Sequence, residues 1–157
     1  VEGYCLGGGF EITMWGDMIV AGEGASFGMP EVLRGLIPGA GGTQNLPRLI
    51  GPALAKEMIW TGRRITAVEA EEKRIVNHVV AKGSALKKAQ EIVAIMAKNG
   101  PLGIMMSKQA INRGLDQSRY NGYLGEGDLA HMLNFSDDKQ EGLQAFAERR
   151  PAKFKGE

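Results

Sequence analysis

The chain divides into two textures of apolar and polar positions. Up to about residue 82, short apolar runs alternate with glycine turns; from Gly83 onward, apolar residues recur at three- and four-residue spacing. In the first stretch, "DMIVAG" has an apolar centre, Met18 to Ala21, closed by Gly22, and predicts a short buried strand. "GPALAKEMIWTG" carries Pro52 at its start and Gly62 at its end, which frames a helix. Thr66 is placed to cap the next helix, and a strand is predicted near Ile75 to Val80.

In the second stretch, Ser84 is placed to cap a helix whose apolar stripe is Leu86, Ala89, Ile92, Val93 and Met96. "KNGP", Lys98 to Pro101, stops that helix and starts another, which carries Leu102, Met105, Met106 and Ile111 up to Gly114. Further helices are predicted from about Arg119 to Asn134 and, behind Ser136, from Asp137 to Arg149. The methionines read as core packing and the tail "PAKFKGE" as unstructured. The pattern predicts an α/β region over residues 1–82 and an all-helical region over 83–157.

Composition sharpens this in one respect. Glycine supplies 23 of the 157 residues, roughly twice the usual share, with a dense cluster between Gly3 and Gly62. Backbone in unusual conformations is the natural inference there. The net charge of +1 gives no field for nucleic acid or a membrane surface, and the short basic cluster "SALKK" does not change that. Cys5 is the only cysteine, which excludes an internal disulfide. Beside the glycines, and without a nearby His, it reads as a small packing residue. His78 and His131 lack metal-ligand spacing. Trp15 and Trp60 read as core or interface residues.

Candidate chemistry lies in two glycine-rich helix starts. "LGGGFE" places three glycines directly before an apolar run and Glu11 on its first turn. Two readings stay open: a sharp strand-to-helix turn packed against its neighbours, or an oxyanion hole whose N–H groups face a developing negative charge. No G-K-[ST] or G-x-S-x-G pattern accompanies it. In "ASFGMPEVLRGLIPGAGGTQ", Gly28 and Pro30 place Glu31 at a turn, and Pro38 to Gln44 forms a second glycine-rich helix start. An exposed-turn carboxylate is ordinarily just solvated. Two carboxylates beside two such helix starts form a possible acid–base pair.

The run "GYCLGGGFEITMWGDMIVAGEGASFGMPEVLRGLIPGAGGTQNLPRLIG", with "AKEMIWTGRRITAVEA" and "EGLQAFAERRPAKFKG" after it, resembles the enoyl-CoA hydratase, or crotonase, family over essentially the whole chain. The resemblance implies the second part of a β-β-α spiral core followed by a helical oligomerisation region. It further implies acyl-CoA thioester substrates, a homotrimer or homohexamer, no cofactor beyond the coenzyme A of the substrate, no metal, and a place in the cytoplasm or mitochondrial matrix. By the same resemblance Gly8 donates one of two oxyanion N–H groups, and Glu11 and Glu31 are the hydratase pair. Gly39 closes the pocket near the reacting carbons, and Phe146 and Arg149 meet the adenine nucleotide portion. For those last two, a core Phe and a solvated Arg remain the plain alternatives. The implied activity is hydration of a 2-enoyl-CoA. Its rivals are a Δ3,Δ2-enoyl-CoA isomerase, another reaction on the same fold, and a non-catalytic oligomerisation module.

Three departures from the family pattern stand out. No Ala-rich A-G-x-D segment, the source of the second oxyanion donor, occurs in these residues, so the chain is expected to be the C-terminal part of a longer protein. Arg74 stands where a glycine often ends the helix; a left-handed conformation there would cost an Arg roughly 1–2 kcal/mol. Met29 stands where Gln is frequent, just ahead of the second glutamate, and is expected to alter how the glutamates or the acyl pocket are held.

Overall fold

The computed structural model describes residues 1–157, and the chain packs as two units, Val1–Gln90 and Glu91–Glu157. Five strands of three residues each lie in the first unit. β1 (Tyr4–Leu6), β3 (Ser26–Gly28) and β4 (Arg64–Thr66) form one sheet in the order β1-β3-β4. β1 runs parallel to β3 with Cys5 opposite Phe27, and β3 runs antiparallel to β4 with Phe27 opposite Ile65. β2 (Val20–Gly22) pairs in parallel with β5 (His78–Val80), Ala21 opposite Val79. Helices α1 (Gly8–Thr13), α2 (Gly42–Ile50), α3 (Pro52–Thr61) and α4 (Ala67–Glu72) connect them, with one 3-10 turn at Glu31–Arg34.

Cys5, Ala21, Phe27 and Ile65 are all buried, and the core is completed by Phe10, Met29, Leu46, Met58, Ile75 and Val76. Phe10 and Phe27 meet in a tilted pair with ring centroids 5.4 Å apart, which joins α1 to the sheet.

The helix frames follow the sequence signals closely. Pro52 is the first residue of α3, and Gly62 ends it in the left-handed region at φ 63°. Thr66 and Glu69 form a reciprocal capping box, with Thr66 Oγ1 accepting from Glu69 N at 3.1 Å and Glu69 Oε2 accepting from Thr66 N at 3.0 Å. The strands are shorter than predicted. The one expected over Met18–Ala21 is Val20–Gly22, and the one expected over Ile75–Val80 is His78–Val80. Ile75 and Val76 are buried but belong to the turn that ends α4. There Ile75 N donates to Ala70 O at 2.8 Å and Arg74 N to Glu71 O at 2.9 Å, a Schellman pair that puts Arg74 at φ 62°.

The α5 helix (Ala85–Met96) is capped from a distant part of the chain. The Glu2 carboxylate accepts from Gly83 N and Ala85 N, each at 2.8 Å, and these two bonds hold its pKa below the usual range. Its inward stripe is Ala85, Ala89, Ile92 and Met96, whereas Leu86 and Val93 face outward. The predicted stripe thus merged two faces.

The second unit contains α6 (Pro101–Leu115), α7 (Arg119–Leu133) and α8 (Asp137–Glu148). α6 packs against α7, and Gly122 sits close to Gly114 between them. Ser118 and Ser136 cap α7 and α8. Few side chains are buried here: Leu129, Ala145, Ser136 and Asp138. Met105 and Met132 are exposed, so these two do not form a core within this chain.

The tail after α8 has no regular secondary structure, yet it is ordered by two carboxylates one helical turn apart. Asp138 accepts from Lys155 N at 2.6 Å and Gly156 N at 2.9 Å. Glu141 accepts a two-pronged contact from Arg150, at 2.7 and 2.9 Å, and a third bond from Lys153 N at 2.8 Å. Arg150 above all, with the Lys153 N–H, lowers the Glu141 carboxyl to about 2. The ring of Phe154 lies over Gly100 and Gly142. The expectation of an unstructured tail is corrected: the signal was spread between α8 and the tail and not contained in either alone.

Two measurements test these local claims. Arg74→Gly should raise stability by about 0.5–1 kcal/mol, read as a higher urea midpoint at unchanged slope, because glycine carries no Cβ penalty at that φ. Glu141→Gln at pH 7 should speed tryptic cleavage after Lys153 several-fold. With the native Glu141, whose folded pKa is the depressed one, the tail clamp is complete above about pH 4.5 and is lost as pH falls toward about 2.

Candidate active site

The site of the first unit begins at a turn that only glycine makes easily. Gly7 has φ 53° and ψ −131°, and its N–H donates to Gly28 O at 2.9 Å, tying the end of β1 to the end of β3. Its carbonyl accepts from Phe10 N and Glu11 N, starting α1. The N–H groups of Gly8 and Gly9 are left outside that helical ladder on an exposed turn. Beneath it, Cys5 packs with its Sγ 3.2 Å from Thr13 Oγ1, and burial pushes its thiol pKa up. A neutral packing residue fits those surroundings.

Glu11 is 3% exposed, the most deeply buried charged side chain of the chain. Its Oε1 accepts from Ala40 N and Gly42 N, both at 2.7 Å. A carboxylate out of water needs such partners, and the glycine-rich start of α2 supplies them. Gly41, at φ 109°, turns the backbone so that both N–H groups converge. Gly42 is required for a different reason: a Cβ there would lie 2.7 Å from Pro38 Cβ, 2.9 Å from Glu11 Oε1 and 3.0 Å from Met29 Cε. Met29 itself is fully buried, with its methyl group beside the same Gly42 position.

Glu31 opens the 3-10 turn Glu31–Arg34 and is half-buried. Its Oε1 lies 3.0 Å from where a Cβ on Gly7 would be, so the carboxylate sits directly against the first glycine turn. Its Oε2 is buried without a hydrogen-bond partner. A buried, unpartnered carboxylate oxygen is costly in a folded protein and calls for a reason other than stability.

The remaining sequence candidates are placed as follows. Gly8 opens α1, next to the turn that Glu31 touches. Gly39 shares the loop of Ala40, is exposed, and has only Ile37 O within 4 Å of its would-be Cβ, at 3.9 Å. Phe146 and Arg149 belong to the second unit. Phe146 is 85% exposed, which sets aside the core reading within this chain. Arg149 ends α8 at φ 55°, a second left-handed arginine held by Arg149 N to Phe146 O and Arg150 N to Ala145 O. Trp15 and Trp60, at 71% and 69% exposure, are not core residues of this chain. Sequence reasoning passed over Ala40, Gly42 and the loop contact of Trp15. The only available signal was that three glycines in four positions, 39, 41 and 42, exceed what one turn needs.

The family model for enoyl-CoA hydratase/isomerase matches residues 1–157. The chain is 44% identical to "Probable enoyl-CoA hydratase 2, mitochondrial" of Arabidopsis thaliana over 99% of its own length and 52% of that protein. It is 38% identical to the 2,3-dehydroadipyl-CoA hydratase of Escherichia coli K12 over 99% of its length and 61% of that protein. Among solved structures it resembles the enoyl-CoA hydratase of Bacillus anthracis at TM-score 0.96 and 44% identity, covering 99% of this chain and 60% of that one. The chain therefore spans just over half to three-fifths of the length of these relatives. Gly42→Ala should cost about 1–3 kcal/mol in urea unfolding, because the added methyl must displace Pro38, Met29 or the Glu11 carboxylate.

Proposed function

From the premise that this chain belongs to the enoyl-CoA hydratase/isomerase family, we propose that it carries the acid–base half of an enoyl-CoA hydratase. The observation behind the proposal is the contrast between its two carboxylates. Glu11 is pinned through Oε1 by two backbone N–H groups, while Glu31 sets Oε1 against the Gly7 turn and leaves its buried Oε2 without a partner. One rigid and one unsatisfied carboxylate suit a reaction that must hold a water and move a proton.

In this reading the thioester carbonyl of a 2-trans-enoyl-CoA accepts a hydrogen bond from Gly8 N–H, which stabilises the enolate oxygen as it forms. Glu11 orients and activates the water whose oxygen bonds to C3, and Glu31 delivers the proton to C2. The proton lost by water returns to the carboxylate pair, so the enzyme ends as it began and a 3-hydroxyacyl-CoA leaves. No redox or metal chemistry is called for, and coenzyme A enters only as part of the substrate. Gly39 borders the reacting carbons. Phe146 and Arg149 take the adenine nucleotide end, a role that the exposure of Phe146 supports.

The complete protein assembles as a trimer or a pair of trimers. Outward-facing Leu124, Met132, Phe135 and Leu143 support a packed interface on the second unit. No helix is long and apolar enough to cross a membrane, and the relatives include a protein named as mitochondrial as well as a bacterial one. We place the protein in the cytoplasm or the mitochondrial matrix. One second reading has its own support. If the two N–H bonds to Glu11 serve structure alone, Glu31 remains as the single proton carrier of a Δ3,Δ2-enoyl-CoA isomerase.

The test uses the protein expressed from its complete reading frame. Crotonyl-CoA should lose its conjugated-thioester absorbance and yield the 3-hydroxy product. Glu11→Gln and Glu31→Gln should each lower kcat by about 10²–10⁴ with substrate binding retained. A folded protein that leaves crotonyl-CoA intact but converts a 3-enoyl-CoA, with Glu11→Gln near wild type, would establish the isomerase instead.

A further inference from the structure

Ala40 is held on both sides, by a residue of α1 and by one in the turn that follows it. Its N–H donates to Glu11 Oε1 at 2.7 Å, and its carbonyl accepts from the indole Nε1 of Trp15 at 3.2 Å. Glu11 belongs to α1, and Trp15 lies in the turn just past its end, where Trp15 N donates back to Ile12 O at 3.1 Å. The indole also lies along Gly41: a Cβ on Gly41 would meet Trp15 Nε1 at 3.4 Å and Cζ2 at 3.5 Å. Gly41, with φ 109°, is thus both the left-handed hinge of the loop and the floor on which the ring rests.

Trp15 is 71% exposed, so its N–H had water available as a partner. Burial does not force the bond to Ala40; the bond is a choice of geometry. Through Glu11 alone, the Pro38–Gly42 loop would be hydrogen-bonded to α1 at one carboxylate oxygen. The Trp15 bond adds a second tie, on the Ala40 carbonyl. α1 is only six residues long, so the two ties also set the direction in which Glu11 leaves it.

We propose that Trp15 is a positioning residue for the acid–base chemistry: it clamps Ala40 so that the Ala40 and Gly42 N–H groups hold the Glu11 carboxylate in its working orientation. The proposal rests on the hydratase reading for its catalytic consequence, but the clamp itself is a statement about the loop.

The test uses Trp15→Phe in the complete protein, which keeps an aromatic ring and removes the donor. Amide hydrogen exchange at Ala40 and Gly42 should quicken about tenfold, since both N–H groups lose part of their restraint. With crotonyl-CoA, kcat should fall about 5- to 20-fold while KM stays within about twofold, as expected for a misplaced reacting group. In a Glu11→Gln background the same substitution should change kcat less than about twofold, because its effect passes through Glu11. Unchanged exchange, an unchanged kcat, or an equal loss in the Glu11→Gln background would each overturn the proposal. Should the wild-type protein leave crotonyl-CoA intact, the hydratase reading fails separately, and exchange at Ala40 and Gly42 alone decides whether the clamp exists.

Discussion

Glu11 Oε1 accepts two backbone hydrogen bonds of 2.7 Å in a place nearly closed to solvent, and much of the first unit exists to make that tolerable. A buried carboxylate without partners would be destabilising by several kcal/mol. Two N–H groups must therefore converge on one oxygen, which the start of α2 achieves with a left-handed Gly41 and a Gly42 that leaves no room for a Cβ. The α1 helix must present Glu11 at the right height, which the Gly7 turn and its bond to Gly28 O secure. Phe10, the neighbour of Glu11 in α1, anchors the helix to the sheet through Phe27. The glycines ahead of α1 and those ahead of α2 are thus one device seen from its two ends.

The second carboxylate obeys the opposite logic. Glu31 meets the first glycine turn with one oxygen and leaves the other unsatisfied. Stability alone would not retain such a group, whereas a proton-transfer site gains from an oxygen whose partner is supplied by the substrate or its water. Met29 contributes by being apolar. Its methyl group and the Glu11 carboxylate border the same Gly42 position, and the backbone N–H groups of Ala40 and Gly42 hold Glu11 Oε1.

The second unit is built on different terms. Few of its side chains are buried, while Phe135, Leu143 and Phe146 face outward. Its order comes from polar ties: Asp138 and Glu141 reach the backbone of the tail, and Arg150 locks onto Glu141. Two arginines, Arg74 and Arg149, occupy left-handed positions that favour glycine. For Arg74 nothing beyond the helix stop explains the choice. Arg149 likewise marks the stop of α8, where Arg149 N donates to Phe146 O.

Local chemistry in the sequence was enough to determine the helix frames. Pro52, Gly62, Thr66, Ser118 and Ser136 act within three or four residues of themselves, so their effect is readable along the chain, although Ser118 was not singled out there. The long glycine-rich signature likewise identified the family, and by that resemblance offered Glu11, Glu31 and Gly8 as candidates. What only the tertiary structure decided depends on residues far apart in sequence. Such are the end of the β5 strand's expected run at Ile75 and Val76, the cap of α5 by Glu2, and the clamped tail. The hold of Ala40 and Gly42 on Glu11 belongs with them. A hydrogen bond between residues about thirty positions apart leaves no periodicity and no spacing in the chain. It exists only because the sheet and the glycine turns bring the starts of two helices face to face.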